Sequence, residues 1–367
     1  MNETQIFKLY ACCHLVSGST RSIIYDLQRK ECEFIPNILA EIIEKFDGIK
    51  SISEIKQFYE SEYDDTIDEY FSFLVNHEFI FFLAGSENYR FPKIDLSFRQ
   101  PGVLSQVTIV VDTLFDERSQ VILAEITELG CRDIQLIYLT ATCFSKIASD
   151  LEHFSQSAFN SIEIISGYDP TLHRDEVIKL VQESHRISCW LIHSAPITER
   201  VREQHFGMQE IIYSEKVYDA YARPEFTNAA GFKLNIESFT ESHHKNAFYN
   251  GRICIDKKGE LKTALFNQEL FGNITENPIR KLLEDPRIEL LWNSKKDNTA
   301  ICKECEFRYM CQDNRLPLKI DEAETWAHQV PCHYNPYTAE WANEEKCIDL
   351  VLKTSPPRTP PDTELPK

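Results

Sequence analysis

The chain has 367 residues, 43% of them hydrophobic, with 23 Phe, 15 Tyr and only 11 Gly. Such a composition supplies two or three globular cores and argues against a loop-dominated protein. The formal net charge of −19 argues against sequence-independent nucleic-acid binding and against an anionic membrane surface, both of which need clustered Lys and Arg. No apolar run approaches the ~20 residues of a membrane span.

In chain order, "IFKLYACCHLV" and "SIIYDLQ" read as strands of a hairpin around the turn-rich "SGSTR". Three helices are predicted next. "PNILAEIIEKF" places Pro36 in its first turn, "SISEIKQFYESE" offers Ser51 and Glu54 as a capping box, and "TIDEYFSFLVNHE" sets Ile67, Tyr70, Phe71 and Leu74 on one face. "FIFFLA" returns as a strand. Residues 1–98 are therefore expected as a small winged-helix-like module.

From residue 99 to 245 the rhythm is strand then helix. "QVTIVVD", "DIQLIYL", "SIEIIS", "ISCWLIHS" and "MQEIIYS" are the strands, and amphipathic helices separate the first four. Apolar strands alternating with helices indicate parallel βαβ units. Five of them suit a partial barrel better than a closed one, and Gly130 stands where a helix C-cap belongs. The overall fold class is α/β. Residues 246–345 read as a hairpin in "GRICIDKKGELKTALF", one helix in "NPIRKLLEDPRIELLW" and a cysteine-rich stretch. The Pro-rich tail 346–367 is expected to be disordered.

Twelve cysteines behind a start with no basic region followed by an apolar core point to thiols or metal ligands in a cytoplasmic chain, not disulfides. Cys302, Cys305, Cys311 and Cys332 form C-x2-C-x5-C-x20-C. A tight C-x2-C turn aims two sulfurs at one centre, and two more thiolates complete four-coordinate zinc or an iron–sulfur cluster. Four unrelated buried thiols are the bland alternative, against which the local density and polar neighbours speak. Spacing alone leaves zinc and iron–sulfur open.

Those four cysteines, the "YNGRICIDKKGEL" hairpin and the "NPIRKLLEDPRIELLW" helix together resemble a SPASM domain, the C-terminal cluster-binding extension of radical-SAM peptide maturases. The resemblance implies that Cys302, Cys305, Cys311 and Cys332 hold one auxiliary [4Fe–4S] cluster. Cys254 matches a ligand of a second cluster, but the next ligand position falls on Ala264. The cysteine usual shortly after Cys311 is also missing, with Arg315 in that neighbourhood. One cluster is expected, with Cys254 a packing thiol. A radical-SAM enzyme also needs C-x3-C-x2-C after its first barrel strand. Here that loop reads "DTLFDERSQ", and neither the isolated Cys143 nor the adjacent Cys12 and Cys13 substitute, since neighbouring strand side chains face opposite ways. No S-adenosylmethionine is expected. With "YACCHLVSGSTRSIIYDLQR" and "IHSAP", the whole resembles the SPASM-domain peptide maturase of grasp-with-spasm systems. That implies a precursor peptide and an ATP-grasp ligase as partners, with the leader adding as a strand to the N-terminal module.

Asp112 and His193 sit at strand ends where a βα barrel carries function, and are the weak candidates for an acid–base pair. His243 and His244, the "KKDN" run and the acidic runs "YESEYDD" and "DEAE" read as solvated. Two further readings stay open: an enzyme that modifies the peptide at the barrel mouth or through the cluster, and a zinc-stapled interaction protein.

Overall fold

The computed structural model describes residues 4–83, 87–154, 158–202, 209–222, 231–320 and 325–342. The Pro-rich tail and the "DEAE" run lie outside them.

The first segment begins with β1 (Ile6–Leu9), β2 (Cys13–Ser17), β3 (Ser22–Asp26) and β4 (Glu31–Ile35). Helices α1 (Asn37–Phe46), α2 (Ile52–Phe58) and α3 (Asp64–Asn76) follow, and then β5 (Ile80–Leu83). The expected single strand "IFKLYACCHLV" is broken. Cys13 N–H bonds Tyr10 O at 2.9 Å in a turn, so β1 pairs with β5 while β2 joins a β2-β3-β4 antiparallel sheet. β4 escaped the sequence reading because "ECEFI" is polar at two of its five positions. Asp26 closes the β3–β4 turn by accepting the N–H groups of Gln28 and Arg29 at 2.9 and 2.8 Å. The capping box at Ser51 and Glu54 is present, and α3 buries Ile67, Tyr70, Phe71 and Leu74. Pro36 stands one residue earlier than expected, as the N-cap of α1.

β3 is buried along its whole length because alternate side chains enter two cores. Ile24 joins Leu39, Ile43, Ile52 and Phe71 under the helices. Ile23 and Tyr25 join Phe239, Phe307, Met310 and Tyr334.

The middle segment runs β6 (Gln106–Val110), α4 (Thr113–Glu128), β7 (Asp133–Ala141), α5 (Phe144–Glu152), β8 (Ser161–Gly167), α6 (Arg174–Glu183) and β9 (Ile187–His193). It ends with β10 (Glu199–Val201) and β11 (Glu210–Tyr213), and α7 (Ile236–His244) follows. The last segment adds β12 (Arg252–Ile255), β13 (Leu261–Lys262), α8 (Ile279–Leu282) and α9 (Pro286–Trp292). The expected single helix is two, because Pro286 has no N–H to donate and Asp285 before it is extended, capping α9 through Arg287 N–H.

The protein is mixed α/β, built on an eight-stranded sheet of order β10-β11-β9-β8-β7-β6-β12-β13. From β11 to β12 every pairing is parallel; β10 and β13 close the edges antiparallel. Among the described residues β10 and β13 do not pair with each other, so the sheet they bound is open. One face packs Ile109, Leu136, Ile164 and Trp190 against Phe115, Ile126, Ile147 and Val177 of the helices. The other gathers Val110, Ile137, Ile165, Ala220, Cys254 and Leu265. Gly130 follows α4 at φ +82, and an added Cβ would stand 2.5 Å from Gly102 Cα, so only glycine fits this cap.

The described chain divides into two compact units. Of the described residues, one draws on those within 4–98, 231–247 and 294–342, and the other on those within 99–222 and 248–293. The stretch 246–345 thus contributes to both: its hairpin, with Cys254, extends the parallel sheet, while Cys302, Cys305, Cys311 and Cys332 belong with the N-terminal segment.

Candidate metal centre

Cys302, Cys305, Cys311 and Cys332 line one cavity of about 50 Å³, against the ~10–15 Å³ that a single water requires. Cys302 begins a 3-10 turn, Cys302–Glu304, directly after Ile301 at φ +68. A β-branched residue there is strained by roughly 1–3 kcal/mol and persists only because its surroundings hold it. Ala300 N–H bonds Trp326 O at 2.7 Å, and Lys303 N–H bonds Thr299 O at 3.0 Å, fixing the loop on both sides. Tyr334 N–H points to Cys332 Sγ at 3.4 Å.

The sulfurs are spread wider than one ion demands. Around tetrahedral zinc, with Zn–S ~2.3 Å, sulfurs lie ~3.8 Å apart. Among the described residues no three of these four sulfurs fall within 4.8 Å of one another; Cys302 does so instead with Asp313 and His328. A cluster with metals at several corners separates its thiolates further than a single ion does.

The charges fit an anionic occupant. Lys296 and Arg315, 7% and 6% exposed, line the same cavity. Arg315 is held bidentately by Asp313, with Nε at 2.9 Å from Oδ1. Burial alone would raise Asp313, but Arg315 and Lys296 outweigh it and hold the carboxyl down at about 2. Arg308 lines the cavity as well and is paired with Asp297 at 3.3 Å, so against Asp313 alone Lys296 and Arg315 leave positive charge facing the thiols, a costly burial unless negative charge joins it. Burial pushes Cys302 up to about 11 and Cys311 to about 12, against the pull of Lys296. It also raises Cys305 well above the ordinary thiol value. A metal entering here must displace protons. Phe232, Phe307, Tyr334 and Trp341 form a connected aromatic wall along the cavity, with ring centroids 4.9–6.2 Å apart, while Cys332 is exposed at its rim.

The expected solvated face "KKDN" is corrected here: Lys296 is buried, and Asp297 accepts from Tyr309 Oη at 2.8 Å. His243 is half-buried and stacked on Tyr309 at 3.7 Å, and only His244 is exposed. Cys254 lies in the other unit among Val110, Ile137 and Leu265, where burial raises it to about 12. Arg315 and Asp313 escaped sequence reasoning because a pair two residues apart carries no periodic signal.

Asp112 and His193 do not meet. They end β6 and β9, which are three strand spacings or ~14 Å apart. Asp112 is the N-cap of α4, accepting Thr113 N–H at 2.7 Å. His193 is 6% exposed with Nδ1 at 3.1 Å from Ser194 Oγ, and burial lowers its pKa. The "DTLFDERSQ" loop is spent as the first turns of α4. Among the described residues no helix is long and apolar enough to cross a membrane.

No family model matches the chain, and no curated protein does. Among solved structures it is similar to SuiB of Streptococcus suis, over 89% of this chain and 99% of that one, at 10% identity. The TM-scores are 0.33 for SuiB bound to S-adenosylmethionine, 0.35 for SuiB bound to precursor peptide SuiA and 0.32 for SuiB. At these values the likeness is one of extent and carries no argument about chemistry.

Proposed function

We propose that this chain is a component of ribosomal peptide natural-product maturation. In this reading it binds a precursor peptide, works with an ATP-grasp ligase and carries one [4Fe–4S] cluster on Cys302, Cys305, Cys311 and Cys332. The observation that carries the proposal is the convergence of these four residues, spread over C-x2-C-x5-C-x20-C, on one cavity beside buried cations. It joins the SPASM-like motifs of the sequence to a site of matching chemistry, and the wide sulfur spacing favours a cluster over zinc.

When bound, the cluster supplies a rigid cross-link and a one-electron store. The chain's own residues do the rest. Lys296 and Arg315 offset the thiolate charge, the Tyr334 N–H points at Cys332 sulfur, and the aromatic wall lines one side of the cavity. Peptide capture falls to the N-terminal module, whose β2-β3-β4 sheet has its outer edges at β2 and β4, where an extended leader gains main-chain hydrogen bonds.

The test is anaerobic purification followed by metal and sulfide analysis, with calorimetry of precursor peptide on the full chain. About four irons and four sulfides per chain are expected, with peptide affinity roughly micromolar because a disordered leader must be ordered. One zinc without sulfide, or no heat of peptide binding, would overturn the reading.

A further inference from the structure

We propose that Cys12, Cys13 and Asp26 form a separate site for one thiophilic divalent cation of the zinc class. Adjacent cysteines on an extended strand would face opposite sides. Here the turn closed by Cys13 N–H on Tyr10 O, with Leu27 N–H on Cys12 O at 3.0 Å, brings the two sulfurs together. They lie 4.0 Å apart, and Cys13 Sγ lies 3.7 Å from Asp26 Oδ2. All three donor atoms fall within 4.8 Å of one another. Bonds of ~2.3 Å to sulfur and ~2.0–2.2 Å to oxygen around a tetrahedral ion place sulfurs ~3.8 Å apart and sulfur ~3.5 Å from oxygen. Two of the three donor pairs are therefore within a few tenths of an ångström of that geometry, and the third lies within 4.8 Å.

Asp26 is already aimed. Its Oδ1 accepts two backbone N–H groups, and Oδ2 accepts Arg29 Nε at 2.7 Å. A hydrogen-bonded carboxylate of this kind is what metal sites use to orient a ligand. The charges match in sign. Two thiolates and one carboxylate bring three negative charges, which a dication and the Arg29 guanidinium oppose, Arg29 being shared with the exposed Glu78 at 3.0 Å. Loading displaces two thiol protons to solvent and requires no redox partner. Cys13 is 3% exposed while Cys12 is half-buried, so the ion has an entry and the fourth position is left to water. A disulfide is the poorer fate for this pair. Neighbouring Cα atoms are ~3.8 Å apart, below the ~4.4 Å at which disulfide geometry begins. The bound ion would tie the Tyr10–Cys13 turn to the end of β3.

The test uses the reduced full chain and cadmium(II), read by thiolate charge-transfer absorption and by iodoacetamide labelling with peptide mass spectrometry. Cadmium should protect Cys12 and Cys13 from alkylation in the unsubstituted chain, a readout that needs no variant to fold. Cys12→Ser should remove one cadmium equivalent while leaving iron and sulfide unchanged. Asp26→Asn should weaken that equivalent by about tenfold or more. Cys302→Ser should keep it, so failure here and failure of the cluster assignment are told apart. Equal alkylation of Cys12 with and without cadmium, or an unchanged cadmium count in Cys12→Ser, would overturn the proposal.

Discussion

Lys296 is the side chain that most changes how the cysteine loop reads. In the sequence it is one of a polar run, and nothing in "KKDN" distinguishes it from its neighbours. Its burial beside three raised thiols makes the cavity one built for negative charge. The four cysteines were legible because close C-x2-C spacing has few other uses; Lys296, Asp313 and Arg315 were not, since long-range packing alone decides which polar groups are buried. If the four act together, Cys302→Ser and Cys311→Ser should each abolish iron and sulfide binding at the four-cysteine cavity and lower the melting temperature by roughly 10 °C, because site formation is linked to folding. Cys254→Ser should leave metal content unchanged. Equal iron loss in all three variants contradicts a cluster held by these four cysteines alone.

A second residue-level expectation concerns acid. Burial lowers His243 to about 4, with Asp297 pulling the other way. Burial likewise lowers His328 to about 4. For both, the unfolded chain takes up a proton near pH 6.5, before the folded one does. The stability they contribute is whole above that pH and is lost as pH falls towards 4. Thermal melts from pH 7 to pH 4.5 should therefore decline, and His243→Gln should shallow the decline. An identical slope in that variant shows that His243 is protonated equally in both states.

Among elements, the long periodic ones followed from the sequence, and several of the short ones did not. α3 and the βα alternation carry their faces in residue spacing. β4 and the break between α8 and α9 depend on local chemistry: a polar strand completed by its neighbour β3, and the Asp285–Pro286 step. The β1–β2 break has the same character, since the Tyr10 turn releases β1 to β5 and sets Cys12 beside Cys13 where alternation would part them. Ser51 shows a local signal that did transfer. Its Oγ accepts Glu54 N–H at 3.3 Å while Glu54 Oε2 accepts Ser51 N–H at 2.7 Å. Ser51→Ala should cost about 1 kcal/mol, measurable by urea denaturation. No change in midpoint would mean that tertiary packing alone sets the start of α2.

At the scale of the molecule, chain order and compact units part company, which no periodicity reveals. The Ser17–Arg21 turn grips the cysteine loop. Ser19 N–H bonds Glu304 O at 2.8 Å, Arg308 Nη1 bonds Ser17 O at 2.6 Å, and Tyr25 Oη bonds Glu306 O at 2.6 Å. Glu306, 1% exposed, accepts from Arg21 Nε at 2.8 Å and from Tyr334 Oη. Val16, Ile23 and Tyr25 share their core with Phe307, Met310 and Tyr334. Residues 1–98 are therefore half of a unit, and excising them would bare one face of β3. Two outcomes follow. An isolated 1–98 fragment should be less stable than the same segment in the full chain and should bind dye probes of exposed apolar surface. In the full chain, Glu306→Ala leaves Arg21 and Tyr334 without their acceptor and should lower stability by about 3 kcal/mol. Hydrogen exchange should then quicken both in the β2–β3 turn and in the cysteine loop, because one side chain holds the two together. Faster exchange confined to the cysteine loop would show that the N-terminal sheet stands without it, and peptide binding could then be measured on the isolated fragment as well.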